Sequence, residues 1–257
     1  MGAVVGGKLA QLGEEDLAFH TPPESLASSV APVCAREGVA VWWSRANAGR
    51  NIALTFDDGP TQQLTPHVLD ILDGAGIRAT FFVIGDLAQR HPDLVRRARD
   101  AGHQIENHSQ DHRSAAVLDR GRVRAAMERG ADTIERLTGR RSTWYRPPRG
   151  EVTSATLISA GETGHVIALW SLARDDHGEL ADDDSAGVGR HLMTAVKPGD
   201  VVDLHDGLGR SAVERPVDAQ LLTRRSAELA ALPEVLRSWA AAGYAFARVD
   251  QLLPAKV

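Results

Sequence analysis

A parallel β-sheet flanked by helices and curled into a closed or nearly closed barrel is predicted by two features of the sequence. From Asn51 onward, short apolar runs rich in β-formers alternate with amphipathic stretches, and Gly or Pro stops most units. The ends of the apolar runs carry the acids, histidines and one arginine that stand out along the chain, and strand ends are where such folds keep their chemistry. A chain of 257 residues accommodates one such domain with an extension.

The elements follow in order. Residues 1 to about 38 hold Thr21-Pro22-Pro23, Ser28-Ser29 and Pro32 and read as a loop-like lead-in. Val39–Trp43 is rich in β-formers and reads as a strand or hairpin arm. Trp42 and Trp43 within it are expected to pack against the barrel, with a site-lining role as the alternative. The main domain is expected to span 51–257, after an N-terminal extension over 1–50.

Ile52–Phe56 is the first strand of that domain, followed by a helix over His67–Ala75 and a strand over Ala79–Ile84. A helix over Asp93–Ala101, a strand over His103–Asn107 and a long helix over Arg120–Thr138 come next. Trp144–Arg146 is a short strand stopped by Pro147-Pro148. Thr153–Ala160 reads as helix, His165–Ser171 as strand, Ser185–Val196 as helix and Asp200–Leu204 as strand. The last unit is a helix over Ser226–Ala242, broken near Pro233, and a strand over Tyr244–Val249.

Composition narrows the function classes. Apolar residues make up 43% and charged residues 25%, the balance of a globular chain with a core. The formal charge of −5, with no basic run interleaved with aromatics, argues against nucleic acid as a partner. No stretch approaches the roughly 20 apolar residues of a membrane span, so no membrane partner is expected. Met1–Gln11 lacks a signal-like apolar run and is followed by Glu14, Glu15 and Asp16, which sets the expectation of a cytoplasmic protein. The single cysteine, Cys34, cannot form an intrachain disulfide.

Asp57 and Asp58 stand where the first strand meets Gly59-Pro60. Two adjacent carboxylates at the rim of a core repel unless a cation or proton settles the balance. His108 and His112 follow a later strand, and in a helical turn their spacing puts both rings on one face. Two histidines and one carboxylate form a ligand set that leaves coordination positions open for water and substrate. Arg146, Asp175 with Asp176, and His205 with Asp206 fall behind the following strands and are expected to converge on the same mouth.

Thr55-Phe56-Asp57-Asp58-Gly59-Pro60, His108-Ser109-x-x-His112, Arg146-Pro147-Pro148-x-Gly150 and Leu204-His205-Asp206 resemble the successive motifs of the polysaccharide deacetylases. These are the NodB-homology enzymes of carbohydrate esterase family 4. The resemblance covers about residues 50 to 253. It implies a distorted (β/α)7-type barrel with the active site at the C-terminal ends of the strands. It further implies one divalent metal ion, commonly zinc with cobalt or manganese as alternatives, held by Asp58, His108 and His112.

By the same resemblance, Asp57 is the general base that activates the attacking water. Arg146 holds Asp57, and His205 is the general acid for the leaving amine. Asp176 pairs with His205 and keeps it protonated, and the backbone N–H of Arg149 helps stabilise the oxyanion. The implied activity is hydrolysis of an N-acyl group from an amino sugar or an acylated small molecule. A hydrolase of ureides or cyclic amides and a catalytically silent metal- or sugar-binding relative are the alternatives.

The chain departs from the family pattern in places. His177 stands where the fourth motif usually has Trp, and Asp203 where the fifth usually has Leu. The resemblance places both in the acyl pocket, so Arg149, His177, Asp203 and Leu204 are the residues expected to face substrate, with a polar acyl pocket as the consequence. Glu106, before Asn107-His108, replaces a small residue and is expected either to support a ligand histidine or to lie on the surface.

Overall fold

The computed structural model describes residues 38–174, 180–210, 212 and 218–253. Nine short strands form one sheet in the order β1(Val41–Trp42), β6(Val166–Ala168), β5(Trp144–Tyr145), β4(Gln104–Asn107), β3(Thr80–Val83), β2(Asn51–Asp57), β8(Val201–His205), β7(Leu172–Ala173). The ninth, β9(Ala245–Ala247), pairs with the start of β2. All strand pairings are parallel, and a single antiparallel bridge joins Ser44 to Asp200. The expected α/β barrel is therefore present as a curled sheet.

The helices are α1(Thr65–Ala75), α2(Gly85–Arg90), α3(Pro92–Asp100), α4(Arg120–Thr138), α5(Ser154–Thr163), α6(Ser185–Ala195), α7(Ala219–Ala241) and α8(Val249–Leu252). Side chains of Asp119, Thr153, Asp184 and Asp218 accept backbone N–H bonds at the starts of α4, α5, α6 and α7, satisfying donors the helix itself leaves open.

Alternation along the strands builds two layers of core. Ile52, Leu54 and Phe56 of β2 join Val202 and Leu204 of β8 and the apolar stripes of α1 and α7 on the helix side. The opposite set, including Ala53, Phe82, Trp144 and Val201, fills the interior of the curl. Above that apolar floor the inward positions turn polar, with Thr55 and Asp57 on β2 and Asp203 and His205 on β8.

Two expectations change and one holds. Val41–Trp42 pairs in parallel with β6, so the sheet begins ahead of the expected boundary at residue 51. Trp42 packs in the interior cluster and Trp43 in the cluster under α4 and α5, which is the packing role expected of them. The helix expected over Ser226–Ala242 starts at Ala219 and runs through Pro233 unbroken. Ala231, Leu232, Val235 and Leu236 are buried on both sides of that proline, so tertiary packing outweighs the single intrahelical bond it removes.

Candidate active site

The end of β2 delivers Asp57 and Asp58 as a buried pair whose side chains part company. Asp58 adopts a positive φ of 72°, which turns its carboxylate away from its neighbour. Asp58 Oδ1 lies 3.0 Å from His112 Nε2 and 3.4 Å from His108 Nε2. Asp57 Oδ1 instead accepts from Arg146 Nη1 at 2.8 Å.

The two histidines are brought together by a loop and not by the helical turn that their spacing allows. Ser109 and His112 both have positive φ, and the rings sit 4.9 Å apart, centroid to centroid. The loop is fastened at several points. Asn107 Oδ1 accepts from the Ser109 N–H at 2.9 Å, while Asn107 Nδ2 donates to the Met127 carbonyl of α4 at 2.8 Å. Ser109 Oγ accepts from the His112 N–H at 2.9 Å. Gly130 makes the helix's close approach possible, since a β-carbon there would collide with the Asn107 carboxamide. Gly207 plays the same part at the end of β8, where a β-carbon would fall on the Asp58 carbonyl.

His108 Nδ1 donates to the Arg146 carbonyl at 2.8 Å, which leaves the Nε2 lone pair for the cluster. One ligand atom from each of Asp58, His108 and His112 lies within 4.8 Å of the others. Asp58 Oδ1 is buried without a hydrogen-bond partner, the condition a cation would relieve. Burial by itself raises the Asp58 carboxyl, yet His112 and His108 hold it well below the usual carboxylate range. The three side chains fit a divalent metal ion.

Arg146 is fully buried, and its donors converge on five acceptors. Nε donates to the Ala168 carbonyl and Nη2 to the Leu169 carbonyl, each at 3.0 Å. Nη1 reaches Thr55 Oγ1 and Asp57 Oδ1 at 2.8 Å each and Asp203 Oδ1 at 3.0 Å. The guanidinium lies 4.2 Å from the centre of the Phe82 ring, so the charge rests on the top of the apolar interior.

Asp203 is therefore engaged as a second carboxylate on Arg146. Burial, with the charge of Asp57 next, pushes its carboxyl up to about 7. Its Oδ2 is 3.9 Å from His205 Nε2. His205 itself is partly accessible at the end of β8. Burial and Arg225 lower its pKa, but Glu228 and Asp203 outweigh them and raise it above the ordinary value.

Several expected residues stand elsewhere. Leu204 points into the helix-facing core beside Leu54 and Phe56, because strand alternation sends it opposite to Asp203 and His205; it does not face substrate. Glu106 is neither on a ligand histidine nor on the surface. It is buried within β4, accepting from the N–H groups of Thr143 and Trp144 at 2.9 Å each and pairing with Arg140 at 3.0 Å. The Arg149 side chain is exposed, 4.0 Å from Glu151, and its φ of 60° kinks the turn after Pro147-Pro148. Asp175, Asp176 and His177 lie outside the described residues.

The structure adds residues that the strand-end pattern does not flag. Arg225 and Glu228 reach the site from α7. Glu228 Oε2 lies 3.2 Å from His205 Nδ1, and Arg225 Nη2 lies 3.4 Å from Asp58 Oδ2. Thr55 and the half-buried Trp170 contact Arg146. The i, i+3 spacing of Arg225 and Glu228 on a helix marks a possible ion pair in the sequence, but nothing local aims that pair inward.

A family model for polysaccharide deacetylase matches residues 44–168. A peptidoglycan-N-acetylglucosamine deacetylase of Bacillus cereus is 34% identical over 213 residues, 83% of this chain and 92% of the relative. A peptidoglycan-N-acetylmuramic acid deacetylase of Bacillus subtilis is 28% identical over 205 residues, covering 79% of this chain and 72% of the relative. Among solved structures, a peptidoglycan N-acetylglucosamine deacetylase superposes with a TM-score of 0.71 at 26% identity, covering 83% of this chain and 92% of the other. With an Asp58–His108–His112 cluster at the mouth of a curled parallel sheet, and relatives aligned over most of its length, the chain belongs to the polysaccharide deacetylases, the NodB-homology hydrolases of carbohydrate esterase family 4.

Proposed function

We propose that this protein is a metal-dependent N-deacetylase that hydrolyses the acetamide of an N-acetylated amino sugar within a glycan such as peptidoglycan. The observation that carries the reading is the buried, unpartnered Asp58 Oδ1 between the Nε2 atoms of His108 and His112, flanked by Asp57 on one side. The names of the aligned relatives support an amino-sugar substrate. A divalent ion held by Asp58, His108 and His112, zinc in this reading, supplies positive charge that acidifies water and polarises an acyl oxygen.

The remaining roles fall to the chain's own groups. Asp57 takes the proton from the attacking water, and Arg146 fixes the direction of its carboxylate. The Arg149 backbone N–H is assigned to the oxygen on which negative charge develops. His205 holds a proton for the departing amine at Nε2, because Nδ1 is occupied by Glu228.

Asp203 makes the site more polar than the family pattern, which has Leu at that position. One oxygen of Asp203 is committed to Arg146, which leaves the other to face the acyl group or His205. Replacing Asp203 by Leu is expected to raise the preference for acetyl over formyl by about 10-fold, the scale of a small change in an apolar pocket. Competing N-acetyl and N-formyl glucosamine oligomers measure it, and an unchanged ratio removes Asp203 from the acyl pocket.

The function is tested by loading the protein with zinc and measuring metal content and amine release from N-acetylglucosamine oligomers. Asp58→Asn is expected to lose both. Asp57→Asn is expected to keep the metal and lose roughly 10²–10⁴-fold in rate, the range for removal of a general base. Full activity in Asp57→Asn contradicts the assignment.

A further inference from the structure

The family pattern assigns the partner of the acid histidine to the carboxylate after the fifth strand, here Asp176. Asp176 lies outside the described residues, and among those described the geometry points to another carboxylate: we infer that Glu228, on α7, positions His205 and sets which of its nitrogens carries the transferable proton. The inference rests on the deacetylase reading and extends it.

Glu228 is 2% exposed, and both of its oxygens are committed. Oε2 faces His205 Nδ1 at 3.2 Å and accepts from the His205 backbone N–H at 3.1 Å, so one oxygen fixes both the ring and the strand end that carries it. Oε1 accepts from Arg225 Nη1 at 2.9 Å and lies 3.8 Å from Arg174 Nε. A carboxylate at Nδ1 selects the tautomer protonated there and directs Nε2 to the site. Nε2 indeed faces Asp203, across the opening from Glu228.

Charge supports the same reading. Burial acts to raise the Glu228 carboxyl, but Arg225 and His205 outweigh it and bring it down to about 2, so this partner is ionised throughout the working range. Among the described residues, the charged groups around His205 are Glu228 and Arg225 from α7, Asp203 from its own strand, Asp58 from the end of β2 and, by charge through Glu228, Arg174 from the end of β7. Arg225 also touches Asp58, so one helical turn braces the acid's partner and a ligand of the cluster together.

The test compares zinc-loaded wild type with Glu228→Gln and Glu228→Asp, reading kcat, KM and the pH profile. Glu228→Gln is expected to lower kcat by about 10- to 100-fold with little change in KM, the scale for an orienting partner. With Glu228 neutral and Arg225 still present, His205 holds its proton less tightly. The alkaline limb, where a protonated acid is lost, therefore moves to lower pH. Glu228→Asp, which keeps the charge at a longer reach, is expected to restore the limb and only part of kcat.

An active wild type alongside a folded Glu228→Gln with unchanged kcat and limb overturns the inference. If Glu228→Gln fails to fold, Glu228→Asp decides: wild-type kcat in that variant overturns the inference. An inert wild type instead counts against the deacetylase reading itself.

Discussion

Arg146 shows how much one residue organises. Its side chain joins β5 to the ends of β2, β6 and β8, and it is the common partner of Asp57 and Asp203. Removing one partner of such a buried pair leaves the other charge without compensation. Arg146→Met is therefore expected to destabilise the fold by about 3–5 kcal/mol, with loss of activity, measured by denaturant unfolding. Arg146→Lys keeps the charge but cannot satisfy the same five acceptors, and is expected to fall between the two. A wild-type unfolding midpoint in Arg146→Met contradicts this account. At this scale the sequence was informative wherever chemistry needs a residue type at a strand end: Asp57, Asp58, His108, His112, Arg146 and His205 all gather at one mouth. It was uninformative about direction. Leu204 and Asp203 are neighbours, yet only register tells that one packs outward and the other meets Arg146.

Among elements, the βα alternation was legible because apolar runs, turn residues and helix starts agree with one another. α2, six residues long, and β7, two residues long, are too short for any periodicity to declare them. The histidine loop breaks local rules instead of following them. Of the five described non-glycine residues with positive φ, Asp58, Ser109, His112 and Arg149 belong to the site. Such backbone is held by surrounding contacts and cannot be read from propensity. The account makes α4 the support of that loop. Gly130→Ala is expected to push α4 away from Asn107, costing about 1–3 kcal/mol as overpacking and weakening zinc binding. Zinc titration and thermal melting check this, and unchanged metal affinity would show the loop to be independent of the helix.

Across the whole molecule, buried acids and buried histidines make stability depend on pH in opposite senses. Burial pushes Glu106 and Asp206 up to about 7, and brings His103 and His165 down to about 4. A raised carboxyl binds its proton more tightly in the folded chain. Its contribution is complete below the ordinary value near 4.5 and is lost as pH rises to about 7. The lowered histidines contribute above 6.5 and lose that contribution as pH falls towards 4. Glu106 isolates one sense, because its partners within and beside β4 are Gln104, Arg140, Thr143 and Trp144, none of them a proposed catalytic group. The stability of Glu106→Gln relative to wild type is expected to increase between pH 5 and 7, by at most about 1.4 kcal/mol per pH unit. Denaturant melts at several pH values measure this, and a constant difference contradicts it. The part of the site least visible in the sequence also belongs to this scale: Arg225 and Glu228 enter from a helix far along the chain, and only the closure of α7 against β2 and β8 brings them to Asp58 and His205.

The most direct test is stoichiometric. Zinc-loaded wild type incubated with N-acetylglucosamine oligomers should release acetate and free amine in equal amounts, stop when the metal is chelated and resume when zinc is restored. Tight zinc binding with no amine released from these oligomers or from peptidoglycan would contradict the account.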